Sequence, residues 1–135
     1  MYINKHNVEV IARNIKASLN KYNIDASVNI VNNGKCIQVA NEEFSIDGHL
    51  YIWIRLLPST VNGMYKADIS SITLPKALRR KGIFTNLANS LFNCKYISSL
   101  AITSVCTIEM VNWTLKNKYK KLDEFNYERI KLKRK

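Results

Sequence analysis

Val8, Ile11, Ile15 and Leu19 recur at spacings of three and four, while Asn14, Lys16 and Asn20 fall off that stripe. This is the period of a helix with one apolar face, and it predicts a helix over 8–19 ending near Asn20. The period then shortens. Ala26, Val28 and Ile30 alternate with Ser27 and Asn29, as in a strand with one buried face. Asn32-Asn33-Gly34 supplies residues that tolerate positive φ, so 36–40 returns as the second arm of a hairpin. A further turn at Ile46-Asp47-Gly48 leads into 50–57, a stretch of β-branched and aromatic residues that predicts a central strand.

The second half alternates strands with helices. A strand over 65–74, interrupted by Lys66, Asp68 and Ser70, ends at Pro75. A basic loop follows, and then Ile83, Leu87, Ala88, Leu91 and Phe92 mark a helix reaching about Cys94. The run 97–105 is apolar enough for a strand buried on both faces, as parallel strands are. Thr107 can cap the next helix, Glu109 suits its first turn, and Met110, Trp113 and Leu115 form its apolar side, with an end near Tyr119. A last strand is predicted over 125–132. The order helix, hairpin, strand, strand, helix, strand, helix, strand requires an α/β sheet with at least one parallel pair.

Composition narrows the function classes. The 135 residues, with four glycines and two prolines, predict a single domain over 1–135 with no flexible linker. The longest apolar stretch is broken by Arg55 and is too short to span a membrane, so no membrane partner is expected. The first ten residues lack the apolar run of a secretory signal. Cys36, Cys94 and Cys106 lie in apolar surroundings and read as buried thiols in a reducing, cytoplasmic compartment. His6 and His49 stand far apart, so no metal site is expected. The net charge of +11, from 21 Lys and Arg against 10 Asp and Glu, favours a polyanionic partner: nucleic acid, an acidic protein face or a phosphorylated cofactor. A plainer source of the same charge is an A/T-rich coding bias, which the 16 asparagines and the excess of Lys over Arg also fit.

The sharpest local feature is Leu78-Arg79-Arg80-Lys81-Gly82-Ile83-Phe84. The first N–H groups of a helix lack internal partners and, with the aligned peptide dipoles, favour a phosphate. Gly82 removes a side chain from the approach, and Arg79, Arg80 and Lys81 add positive charge. The spacing is neither a Walker A loop nor a dinucleotide fingerprint. A solvated loop is the plainer alternative.

Strand, Leu74-Pro75, Arg79-x-x-Gly82, then a helix with Leu87 and Leu91 four apart, resembles the signature region of the GCN5-related N-acetyltransferase superfamily. The resemblance covers roughly residues 50–132. It implies an acyl-CoA N-acyltransferase-like fold, a mixed central sheet flanked by helices. It further implies that acetyl-CoA (coenzyme A) is held by backbone amides around Ile72, Thr73 and Leu74 along the pantetheine arm. The loop Arg79, Arg80, Lys81, Gly82, Ile83 and Phe84 would hold the pyrophosphate. Arg79 and Gly82 match the family's loop, whereas Phe84 stands where it has Gly or Ala. Strand 97–105 corresponds to the strand that splays from its neighbour to open the cleft. On the following helix Met110, Trp113, Lys116 and Tyr119 match family positions. Thr107 replaces Asn, Lys118 replaces Gly, and Thr114 replaces the Tyr that often protonates the departing thiolate.

Amide formation from a thioester needs a neutral amine, a polarised carbonyl and release of the thiolate. Asp68 and Glu109 are the carboxylates nearest the implied cleft and the candidates for taking the amine proton. Their plainer readings are a solvent-facing strand residue and a helix-start charge. Tyr119 or Tyr65 could stand in for the missing Tyr, although Tyr119 also reads as a core residue. Tyr51, Trp53 and Arg55 alternate on one strand and suit either base stacking or a half-buried sheet face. Nine of the last 20 residues are Lys or Arg, which makes this end the best nucleic-acid candidate in the chain, although a solvated strand and tail is the plainer reading.

The function expected from the resemblance is acetyl-CoA-dependent transfer to an amine of a protein, nucleic acid or small molecule. The alternative is an inactive acetyltransferase-like binding protein, such as a phage or mobile-element accessory. It would act on nucleic acid or a host protein through its basic surface.

Overall fold

Val8, Ile11, Ile15 and Leu19 lie fully buried along α1 (Lys5–Asn20). Each such side chain withdrawn from water contributes up to about 1.5–3 kcal/mol. Asn7 is buried beside them and donates from Nδ2 to the Gly63 carbonyl at 2.7 Å, which ties the start of the helix to the loop before a central strand. The helix ends on Asn23, at φ 59°. Asn23 N–H donates to Asn20 O and Ile24 N–H to Leu19 O, the paired bonds of a left-handed C-terminal cap.

The computed structural model describes residues 5–24, 26–41, 50–59, 63–73, 82–103, 108–122 and 126–130. Seven strands form one sheet: β1 (Ser27–Val31), β2 (Cys36–Asn41), β3 (Leu50–Pro58), β4 (Tyr65–Thr73), β5 (Ile97–Ile102), β6 (Lys120–Lys121) and β7 (Tyr127–Ile130). Their order is β1-β2-β3-β4-β5-β7-β6. Among the described residues only β4 and β5 pair in parallel, and α2 (Ile83–Asn93) lies in the crossover between them. The β1–β2 turn uses Asn32, Asn33 and Gly34 at φ 54°, 57° and 84°, the conformation their sequence anticipates.

The sheet has two unlike faces. Ile37, Val39, Ile52, Ile54, Leu56, Ala67, Ile69, Leu100, Ile102 and Tyr127 are buried in one cluster with the apolar stripes of α1 and α2. The opposite face of β3 carries half-buried Tyr51 and Trp53 and exposed Arg55. Cys36 and Cys94 are buried and outside any disulfide; Cys106 lies outside the described residues. Among the described residues no helix is long and apolar enough to cross a membrane. Among the described residues no group of His, Cys, Asp and Glu could hold a metal.

The last helix differs from its reading. In α3 (Ile108–Lys116) Leu115 is 55% exposed while Thr114 is fully buried. The inward side is therefore set one residue away from the Leu, and Trp113 and Thr114 face neighbours. The strand expected over 125–132 is described from Tyr127 to Ile130, the strand expected over 97–105 ends at Ile102, and the two-residue β6 was not anticipated. The turn expected at 46–48 lies outside the described residues.

Candidate cofactor cleft

Among the described residues β5 pairs with only the first part of β4. Their ladder runs from Tyr65–Ile97 to Ile69–Ile102. A last bond, Thr103 N–H to Ile69 O at 3.1 Å, closes it. β4 continues for four more residues, paired with β3 through Ile72–Ile52 and Thr73–Tyr51. One step beyond the fork the register with β3 shifts: Trp53 faces Ser71 and Ile54 faces Ile69, so Ser70 is an extra, bulged residue. Its hydroxyl donates to the Trp53 carbonyl at 3.4 Å. The β5-side edge of Ser70–Thr73 has no strand on it among the described residues. Such an edge offers backbone groups to a ligand as a neighbouring strand would.

The start of α2 lies toward the same end of β4. The chain returns from the helix at Cys94 to the foot of β4, where Tyr65 N–H donates to Tyr96 O at 2.8 Å. The helix therefore runs back along the strands, and its N-terminus lies toward the carboxyl ends of β4 and β5, where ligands of open α/β sheets bind. Gly82 caps it at φ 75°. Its carbonyl accepts from Asn86 N–H at 2.9 Å and from the Tyr22 hydroxyl at 3.3 Å. The Ile83, Phe84 and Thr85 amides precede the first intrahelical bond, Gly82 has no side chain to cap them, and no acid stands in the first turn. This donor set suits a pyrophosphate.

Phe84 does not lie over those amides. Its ring is buried 4.7 Å from the Trp113 ring, which in turn lies 5.4 Å from that of Tyr119. Trp113 Nε1–H donates to Thr85 Oγ1 at 2.7 Å, so α3 grips the first turn of α2. The large residue at the family's Gly/Ala position thus serves the contact between helices. Lys118, at the family's Gly position, has φ 69°. Its N–H donates to Leu115 O and Tyr119 N–H donates to Thr114 O, a cap that ordinarily selects glycine. Lysine there costs about 1 kcal/mol relative to glycine.

Asp68 is buried, not solvent-facing. Oδ2 accepts from Arg55 Nε at 3.0 Å and from Arg55 Nη2, and Oδ1 accepts from the Thr103 hydroxyl at 3.0 Å. Both oxygens are therefore engaged at the fork. Ile72 is half-buried on the free part of β4, with Thr73 following it. Leu74, Arg79, Arg80 and Lys81 lie outside the described residues. Glu109 stands in the first turn of α3; its side chain is not among those described. Sequence reading missed Thr103 and Tyr22, because both act through partners 35 and 60 residues away that no local pattern displays.

Tyr119 is buried and its hydroxyl has no partner among the described residues. Burial pushes the phenol up from 10.0 to about 12, with the Arg129 charge pulling the other way. The folded chain thus holds this proton more tightly than the unfolded one. Its titration leaves stability untouched below pH 10 and lowers it as pH rises toward 12, because the unfolded chain loses the proton first. Tyr119→Phe is expected to be nearly neutral at pH 7, since the hydroxyl is unpartnered. It should remove roughly 3 kcal/mol of alkaline destabilisation over that window. Thermal melts of both proteins at neutral pH and near pH ~11 check this; parallel losses would place the titration elsewhere.

No family model matches the chain, and no curated protein sequence does. Among solved structures it is similar to Arabidopsis thaliana Naa50 in complex with the bisubstrate analogue CoA-Ac-MVNAL. The TM-score is 0.50, with 14% identity over 96% of this chain and 95% of that one. At this identity the likeness speaks for the fold, which is the acyl-CoA N-acyltransferase-like fold of the GCN5-related acetyltransferases: a mixed, mostly antiparallel seven-stranded sheet flanked by helices.

Proposed function

We propose that this protein binds acetyl-coenzyme A and transfers the acetyl group to an amine. The observation that carries the reading is the fork: the described pairing of β4 with β5 ends at Ile69 and Thr103, β4 bulges at Ser70, and from there to Thr73 no strand lies on its β5 side among the described residues. The amides of Ile83, Phe84 and Thr85, which Gly82 leaves without a side-chain cap, lie toward the same end of the sheet. The coenzyme fits this donor set, with Ile72, Thr73 and Leu74 along the pantetheine arm. The amides after Gly82, helped by Arg79, Arg80 and Lys81, would hold the pyrophosphate. Bound coenzyme brings a thioester already activated toward an amine.

The residues of this chain then have modest tasks. They hold the acyl carbonyl beside the amine, and a carboxylate or water takes the ammonium proton. The thiolate is a tolerable leaving group, so a buried Thr114 in place of a phenol weakens the machinery without removing it. Glu109 is the carboxylate this reading leaves for the ammonium proton, since Asp68, named with it from the sequence, has both oxygens engaged by Arg55 and Thr103.

Naa50 was solved with a peptide-bearing analogue. A protein amine is by that analogy the first acceptor to try, ahead of a nucleic acid or small amine. Calorimetry is expected to detect coenzyme A binding by wild-type protein, falling as salt screens the cationic loop. Thiol release from acetyl-coenzyme A should then depend on an added peptide amine. No binding at about millimolar ligand would remove the reading. Binding without thiol release from any acceptor would favour an inactive binding protein.

A further inference from the structure

Three strands meet at the Asp68 carboxylate. Arg55 stands opposite Asp68 on β3, and Ala101 stands opposite it on β5. Thr103 follows β5 immediately and grips β4 twice, by its N–H on Ile69 O and by its hydroxyl on Asp68 Oδ1. These are the last ties between β4 and the β5 segment among the described residues. The second oxygen accepts from two nitrogens of Arg55, whose side chain is 52% exposed against 7% for Asp68. Replacing the carboxylate leaves the Thr103 hydroxyl or an Arg55 guanidinium N–H without its acceptor across the strands. An amide at this position offers one oxygen and cannot serve both neighbours.

We propose that Asp68 is a positioning residue of the cleft, pinning β3, β4 and β5 together where the fork opens. The proposal rests on the reading of the fork as the coenzyme site and assigns Asp68 a task other than proton abstraction. Its anchors fix where β5 leaves β4, and so the width available to the pantetheine arm beside Ser70–Thr73. Thr103 is the second half of the same pin.

Calorimetric titration of coenzyme A into the full chain, well below its melting temperature, tests this. Thr103→Ser keeps the hydroxyl and should bind like wild type. Thr103→Val and Asp68→Asn should each raise Kd by about tenfold, the worth of one charge-assisted tie. The double variant should be little worse than the weaker single one, because both changes cut one connection. In turnover with a peptide amine, KM for acetyl-coenzyme A should rise with kcat little changed, equally at neutral and alkaline pH. Equal Kd values in all variants would overturn the proposal. So would a kcat loss in Asp68→Asn that alkaline pH restores, since that is the behaviour of a base. If wild type binds no coenzyme A, the cofactor reading fails by itself, and amide exchange decides the pin. Thr103 N–H should then exchange faster in Asp68→Asn while the β3 amides keep their protection; unchanged exchange at Thr103 would refute it.

Discussion

Gly82→Val should lose about a hundredfold in coenzyme A affinity and roughly 2 kcal/mol of stability. The glycine sits at φ 75°, where an L side chain is strained and a β-branched one more so. The chain has two ways to respond. It can keep the conformation and bear the strain, or rotate into an ordinary region and swing the first turn of α2 away. Rotation also pulls the Gly82 carbonyl off Asn86 N–H and the Tyr22 hydroxyl. Either response spoils the alignment of the Ile83, Phe84 and Thr85 amides. Gly82→Asn separates backbone from space. Asparagine tolerates the left-handed region, and a Cβ here would lie 3.6 Å from the Tyr22 hydroxyl oxygen, an ordinary contact. The Asn variant should therefore bind within a few-fold of wild type. Calorimetry and thermal melts on the three proteins read both effects. If the valine variant binds as tightly as wild type, the pyrophosphate is held away from the start of α2.

The basic loop and its glycine were visible in the sequence because a helix start announces itself locally. The same holds for α1, whose stripe of Val8, Ile11, Ile15 and Leu19 is its buried face, and for the Asn32-Asn33-Gly34 turn. Each of these depends on neighbours within four residues. The fork was legible only through a family resemblance, since nothing in 65–74 marks Ser70 as bulged. Bulging is a property of the register with β3. Asp68 shows the limit most clearly. Between Ala67 and Ile69 it reads as the polar member of an alternating strand, and alternation sends it to solvent. Arg55 and Thr103, 13 and 35 residues away, make its burial affordable. Thr114 was read by analogy as a lost phenol, but its burial comes from the rotation of α3, which Leu115 had suggested the other way. Polar residues inside a core are chosen by their partners, and partners distant in sequence are what a single chain conceals.

Trp113→Ala should lower stability by about 3 kcal/mol, less than a fully buried Trp because the ring is only half-buried. Three contacts go at once. The ring leaves Phe84, at 4.7 Å, and Tyr119, at 5.4 Å, and Thr85 Oγ1 loses its donor at 2.7 Å. The cavity cannot close easily, because Thr114 and Tyr119 are fixed by the cap bond from Tyr119 N–H to Thr114 O. Trp113→Phe keeps an aromatic ring and removes the N–H, and should cost about 1 kcal/mol. These residues join α3 to the first turn of α2, so the change should also reach the ligand. Phe84, released from its stack, is free to turn toward the amides it now leaves clear. Coenzyme A affinity should fall several-fold in Trp113→Ala and stay near wild type in Trp113→Phe. Urea unfolding gives the first quantity and calorimetry the second. A Trp113→Ala protein that unfolds at the wild-type midpoint would deny the ring its structural role. One that is destabilised yet binds coenzyme A unchanged would show that the grip of α3 on α2 does not position the phosphate site.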